Sequence, residues 1–277
     1  MSLPVIALPS GIDISYELHG LAGGMPIVLV HGHASRGGTY DEFLQFLGDE
    51  FLSLTFDLRG HGESGKPEGT NYQETLQLYT VEQFARDLHE LVVEIAFPTP
   101  FVLAGHSLGG MIAQQFTLQH ASLVSHLILC GTAPSWYSDG RATMLACFKD
   151  GSMVLDEKFF HASIAMTLTR AFRKAHPEVI ANSLQSRLLV PRDVYIATME
   201  NIVFHFDVRD QLNQINVPTL VMTGESDAVV QPGLSRELHD LIPGSTLIHI
   251  PGQNHGIFHE VPDFLASQIK RFVLGIE

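Results

Sequence analysis

The sequence predicts an α/β protein built on a doubly wound, mostly parallel sheet of eight strands flanked by helices, and three observations carry that prediction. Short apolar runs such as Pro26 to Val30 have the length and make-up of strands buried on both faces. Amphipathic helical patterns alternate with these runs, and that alternation implies parallel strands joined by right-handed crossovers. Hydrophobic residues make up 45% of the 277 and charged residues 17%, which supports a large buried core and argues against disorder.

In chain order, Val5 to Leu8 and Ile12 to Leu18 flank the turn signal Pro9-Ser10-Gly11 and read as an antiparallel pair. Pro26 to Val30 is the first buried strand, and it stops at His31-Gly32-His33. A short helix around Tyr40 to Leu47 follows, then a strand from Leu52 to Phe56 that ends in the glycine-punctuated loop Asp57-Leu58-Arg59-Gly60-His61-Gly62-Glu63-Ser64. Val81 to Ile95 is an amphipathic helix with Val81, Phe84, Leu88, Leu91 and Ile95 on one face and Thr80 as its cap. An apolar strand from Phe101 leads through a tight turn into a helix from Leu108 to Gln119, and Val124 to Leu129 is again a strand.

That rhythm then breaks. Between about Ala133 and Asn213 the pattern is helical, rich in Met and Phe, and without a strand signal. Nothing resembles a linker, so residues 133–213 are expected to form a helical cap inserted after the sixth strand into one core made of residues 1–132 and 214–277. The rhythm resumes with strand Thr219 to Met222, helix Pro232 to Leu241, strand Thr246 to Ile250 and a terminal helix Pro262 to Leu274, Pro262 suiting a first helical turn.

The chemistry centres on Gly105-His106-Ser107-Leu108-Gly109, where a strand turns directly into a helix. Such a bend strains the apex residue and leaves no room for side chains two positions before and after it, which Gly105 and Gly109 satisfy. The strain lifts the Ser107 hydroxyl clear of the sheet, beside free N–H groups at the helix start. A serine needs a base near neutral pH, and the base needs a group to hold its tautomer. In an open parallel sheet such groups gather past the carboxyl ends of strands. Beyond Thr219 to Met222 lies Asp227, with Glu225 as its local competitor; beyond Thr246 to Ile250 lies His255, with His259 second. The chain order Ser107, Asp227, His255 is that expected of this elbow. Two backbone donors would hold an oxyanion: Leu108, and His33 after the first buried strand.

Taken together, His31-Gly32, Asp57-x-Arg59-Gly60-x-Gly62-x-Ser64, Gly105-His106-Ser107-Leu108-Gly109-Gly110, Gly224-x-x-Asp227, and His255 followed by Glu260 and Pro262 resemble the α/β-hydrolase fold superfamily. The resemblance covers nearly all of the chain outside the cap. It points to the branch of small cofactor-free serine hydrolases that includes esterases, lactonases, meta-cleavage C–C hydrolases and non-haem haloperoxidases. It implies an acyl-enzyme mechanism on a carboxylic ester of a small or medium apolar substrate; lactone or C–C cleavage, acyl transfer, or a ligand receptor with slow turnover stays open. Relatives with an aspartate at the elbow cleave carbon–halogen bonds or epoxides, and Ser107 sets this chain apart from them. Asn254 stands where glycine is common, and His33 is unusual at its place. His106 and Trp136 are expected to touch substrate, with Phe148, Phe159, Phe160, Phe172, Phe204 and Phe206 as further aromatic candidates or as the cap's own core.

Bulk properties narrow the partners. A formal net charge of -14, from 30 acidic against 16 basic residues, repels nucleic acid and anionic membranes, so the expected partner is a small neutral or apolar molecule. Cys130 and Cys147 read as reduced thiols. The start of the chain lacks signal-peptide character and no apolar run approaches a membrane span, so a cytoplasmic monomer or homodimer is expected. No metal or cofactor is expected either. His31-x-His33 lacks the acid and third histidine of a metallo-hydrolase, and Gly256 stands where a zinc helix between His255 and His259 needs glutamate.

Overall fold

A computed structural model describes residues 3–275. Eight strands form one sheet in the order β1-β2-β4-β3-β5-β6-β7-β8. In sequence these are β1 (Val5–Ala7), β2 (Asp13–His19), β3 (Met25–Val30), β4 (Phe51–Phe56), β5 (Phe101–His106), β6 (Val124–Cys130), β7 (Thr219–Gly224) and β8 (Thr246–Ile250). The pairs β1·β2 and β2·β4 are antiparallel and all others parallel, so the opening hairpin and the parallel remainder both follow the pattern read from the sequence.

Alternation along the central strands builds two cores. Val28 and Val30 of β3 and Leu103 of β5 join one apolar cluster, while Ile27, Leu29, Val102 and Ala104 join the other. The first face is covered by α3 (Val81–Glu94) and α4 (Leu108–Gln119), the second by α1 (Asp41–Leu47) and α12 (Pro262–Leu274). Thr80 caps α3 as expected, its hydroxyl accepting the Gln83 N–H at 3.2 Å. The Asp57-to-Ser64 loop is a structural knot: Asp57 accepts backbone N–H groups from Gly37 and Glu63, and Arg59 grips Asp87 of α3 through two contacts of 2.5 Å.

Between β6 and β7 the chain runs through α5 (Asp139–Asp150), α6 (Glu157–Thr167), α7 (Arg170–Ala175), α8 (Pro177–Leu188) and α9 (Arg192–Glu200), followed by a wide turn over Asn201–His205. One β-bridge, Ser135 to Asp207, ties its two ends together. A helix not anticipated from sequence, α2 (Tyr72–Leu78), packs on α9: the Asn201 amide donates to the Leu76 carbonyl at 2.8 Å and the Tyr72 hydroxyl donates to Glu200. Its polar run Tyr72-Gln73-Glu74-Thr75 hid it, since only Leu76 and Leu78 supply an apolar face. After β7 come α10 (Pro232–Leu241), and after β8 a single turn, α11 (Ile257–Glu260). No helix among the described residues is long and apolar enough to cross a membrane.

Candidate active site

The sheet order reverses between β3 and β5, because β4 lies on one side of β3 and the later strands on the other. Loops leaving two such strands at their carboxyl ends diverge and open a crevice. A cavity of about 480 Å³ occupies that place, and Gly32, His33, Ser107, Leu108 and His255 all face it.

Ser107 sits at the bend with φ 56°, a conformation rare for a residue with a side chain and strained by about 1–3 kcal/mol. Close packing enforces it. A side chain on Gly109 would run into the Val30 carbonyl, and one on Gly105 into Gly109. The Ser107 carbonyl is held by the Thr132 hydroxyl at 2.7 Å and its N–H donates to the Cys130 carbonyl at 3.0 Å. Among the described residues, neither the Leu108 nor the His33 backbone N–H has an acceptor. Ala34, next to His33, has φ 54°, so this loop is also turned sharply beside Ser107.

His255 and Asp227 form a buried pair, Nδ1 to Oδ2 at 2.8 Å. The other oxygen of Asp227 accepts the Val229 and Val230 N–H groups, both at 2.8 Å. Burial opposes the charge on Asp227, but His255 and those two N–H groups outweigh it and hold the carboxyl below its ordinary value. Glu225, the alternative acid, is exposed, and His259 instead meets the Thr39 hydroxyl at 3.2 Å. No hydrogen bond joins the Ser107 hydroxyl to His255 among the described residues; such contacts commonly tighten only when substrate arrives.

Several positions to which the sequence assigned no part in the site complete the arrangement. A side chain on Gly131, just after β6, would crowd His255 Nδ1 at 3.3 Å and Asp227 Oδ2 at 3.4 Å. Asn254 joins three segments: its carbonyl oxygen accepts the Ala228 and His255 N–H groups at 3.0 and 2.9 Å, and its amide donates to the Met166 carbonyl at 2.8 Å. Gly256 and Glu260 anchor to Thr167 and Thr169 of the same helical stretch. Gly131 and Thr132 obey the strand-end rule that located the acid, applied to β6; Asn254 carried no local signal.

The remaining expected residues divide. His106 lines the cavity with its ring 4.7 Å from that of His255, and its Nε2 donates to the His255 carbonyl at 3.0 Å, so it props the histidine loop as well as facing the pocket. Trp136 also lines it, its indole N–H donating to the Val229 carbonyl at 3.3 Å. Of the six phenylalanines only Phe159 reaches the cavity; Phe148, Phe160 and Phe206 are buried in the core, and Phe204 is exposed. His31 spends both nitrogens on backbone, at Gly32 and Leu58, and burial lowers its pKa to about 4. His33 is kept well below its ordinary value by burial and then by His61 and Arg187, and its Nε2 has no partner.

Comparison with known proteins supports the α/β-hydrolase fold. The family described as serine aminopeptidase, S33, matches residues 25–262. The chain is 28% identical to a proline iminopeptidase, PfmaB, of Pestalotiopsis fici over 94% of this chain and 96% of that one. It is 26% identical to a pimeloyl-[acyl-carrier protein] methyl ester esterase of Vibrio cholerae over 90% and 94%. Among solved structures it is similar to a thermophilic esterase of Thermogutta terrifontis, with TM-score 0.85, 26% identity and 99% of both chains covered.

Proposed function

This chain belongs to the serine aminopeptidase S33 family of α/β-hydrolases, and from that premise we propose that it cleaves carboxylic esters through an acyl-enzyme on Ser107. The observation that carries the reading is the buried Asp227–His255 pair, whose histidine lines the same cavity as the strained Ser107. Asp227 fixes the proton on His255 Nδ1, which leaves Nε2 as the base. His255 takes the Ser107 proton as the hydroxyl oxygen attacks the ester carbonyl, and the free N–H groups of Leu108 and His33 receive the oxyanion. The proton passes to the departing alcohol, and water, activated by the same histidine, releases the acid.

Ester cleavage is favoured over removal of an amino-terminal residue by the cavity's charges. An aminopeptidase must hold a free ammonium group, and among the described residues the walls contain no Asp or Glu, only Arg141 and Arg187 as permanent charges. Relatives of similar length include esterases as well as a proline iminopeptidase, so the cavity's charges carry the choice.

The test is hydrolysis of p-nitrophenyl esters of increasing acyl length by the wild type and by Ser107→Ala, with a chelator control. Turnover that needs Ser107, ignores the chelator and peaks at one length is expected. Near-wild-type rates in Ser107→Ala, or no turnover by the folded wild type on any ester, would overturn the reading.

A further inference from the structure

The charge of the cavity does not follow that of the chain. Against a net charge of -14, the described residues of the walls carry two guanidinium groups and no carboxylate. The two are placed very differently. Arg141 is satisfied: it lies over the Trp136 ring, 4.2 Å from its centroid, and donates to the Trp136 and Val229 carbonyls at 3.1 and 2.9 Å. Arg187, on α8, has one weak contact, 3.4 Å from Nη1 to the Ser183 carbonyl one turn back on its own helix. Among the described residues no Asp or Glu pairs with it, although Arg59, Arg192 and Arg209 each find one.

Arg187 is half-buried, and it lies on the cavity wall. Burial lowers its pKa, and its charge is felt by His33, Tyr195 and His259, which come from three separate segments around the cavity. The Tyr195 ring packs 4.3 Å from that of His33, and its hydroxyl has no hydrogen-bond partner among the described residues. Half-burying a guanidinium without a counter-charge is unfavourable, and a fold with 30 acidic residues has no shortage of partners to offer. The fork of N–H donors matches a carboxylate in shape and charge. A phosphate dianion calls for a second free cation, and Arg141 is turned onto Trp136 and Val229, with one hydrogen bond from each terminal nitrogen.

We propose that Arg187, with the Tyr195 hydroxyl beside it, binds a free carboxylate on the substrate, so that the preferred esters are half-esters of dicarboxylic acids. This rests on the serine-esterase reading above. In the reaction the acyl–oxygen bond breaks, water supplies hydroxyl to the acyl carbon and a proton to the alcohol, and the distal carboxylate stays on Arg187 unchanged. The second product acid ionises, so each turnover releases one proton.

Monomethyl adipate and methyl hexanoate share acyl length and leaving group and differ in the distal carboxylate. Their hydrolysis, followed by proton release at constant pH, gives the ratio of kcat/KM for wild type, Arg187→Gln and Arg187→Lys. The wild type is expected to favour monomethyl adipate. Arg187→Gln should shrink that ratio by about 10- to 100-fold, mostly through KM, and Arg187→Lys should restore part of it. Calorimetric titration of adipate into Ser107→Ala, and into the same protein carrying Arg187→Gln, should show a loss of affinity of similar size. Equal kcat/KM for both esters in the wild type, or the same ratio in Arg187→Gln, would overturn the proposal. If neither ester is cleaved, the esterase reading fails by itself; adipate binding that depends on Arg187 then still supports the carboxylate site, and binding that does not depend on it overturns the site too.

Discussion

The strand-end loops and the helical stretch that face each other across the cavity hold their polar groups in opposite ways. On the strand side, Asp227 accepts from His255, Val229 and Val230, Thr132 grips the Ser107 carbonyl, and Asn254 satisfies three partners. On the helical side, Arg187 and Tyr195 line the cavity, and among the described residues their polar groups have almost nothing to bond to. The difference teaches where each kind of work is done. Groups that move protons must be fixed before substrate arrives, because a misplaced base loses its advantage. Groups that choose substrate are left unpartnered, so that the right ligand completes them and the wrong one leaves them bare.

Breaking the strand side should have the larger effect. Asp227→Asn leaves the packing nearly intact but removes the charge that sets the His255 tautomer, and kcat should fall by about 1,000- to 10,000-fold. Glu225→Gln, two residues away and exposed, should change kcat little. Steady-state kinetics on one p-nitrophenyl ester decides this, and the reverse ranking would reassign the acid.

A smaller effect sharpens the same contrast through acid stability. The strand side holds four histidines with strongly depressed pKa values, His31 and His61 buried and His106 and His259 half-buried at the cavity: His31 and His259 at about 4, His61 and His106 at about 3, each chiefly through desolvation. Below the ordinary value of about 6.5 the unfolded chain takes up protons that the folded chain refuses. Their stabilising contribution is therefore full above that value and is lost as pH falls from about 6.5 towards 4. The Tm, followed by circular dichroism, should drop steadily across that window. A Tm that is level between pH 7 and 4.5 would mean these rings are not buried neutral.

Much of this was legible in the sequence because local physics decides it. Buried parallel strands read as apolar runs, and Thr80 announced the start of its helix. The Ser107 bend is written in the glycines that its neighbours cannot do without. The rule that catalytic groups follow strand ends also led to Asp227 and His255 rather than Glu225 and His259 as the contacting pair. What escaped depends on distant contacts. Asn254 gains its meaning only when α6 arrives at Met166, and α2 only when α9 covers it. Arg187 was hidden by an average: net charge sums over the whole chain and does not tell which side chains line one cavity.

The most direct measurement is intact-protein mass spectrometry of the enzyme quenched in acid during turnover of a slowly released p-nitrophenyl ester, followed by peptide mapping. The account predicts one added acyl mass, located on the peptide that contains Ser107 and missing from Ser107→Ala. An acyl group on another residue, or rapid turnover with no acylated species in any trapping condition, would contradict it.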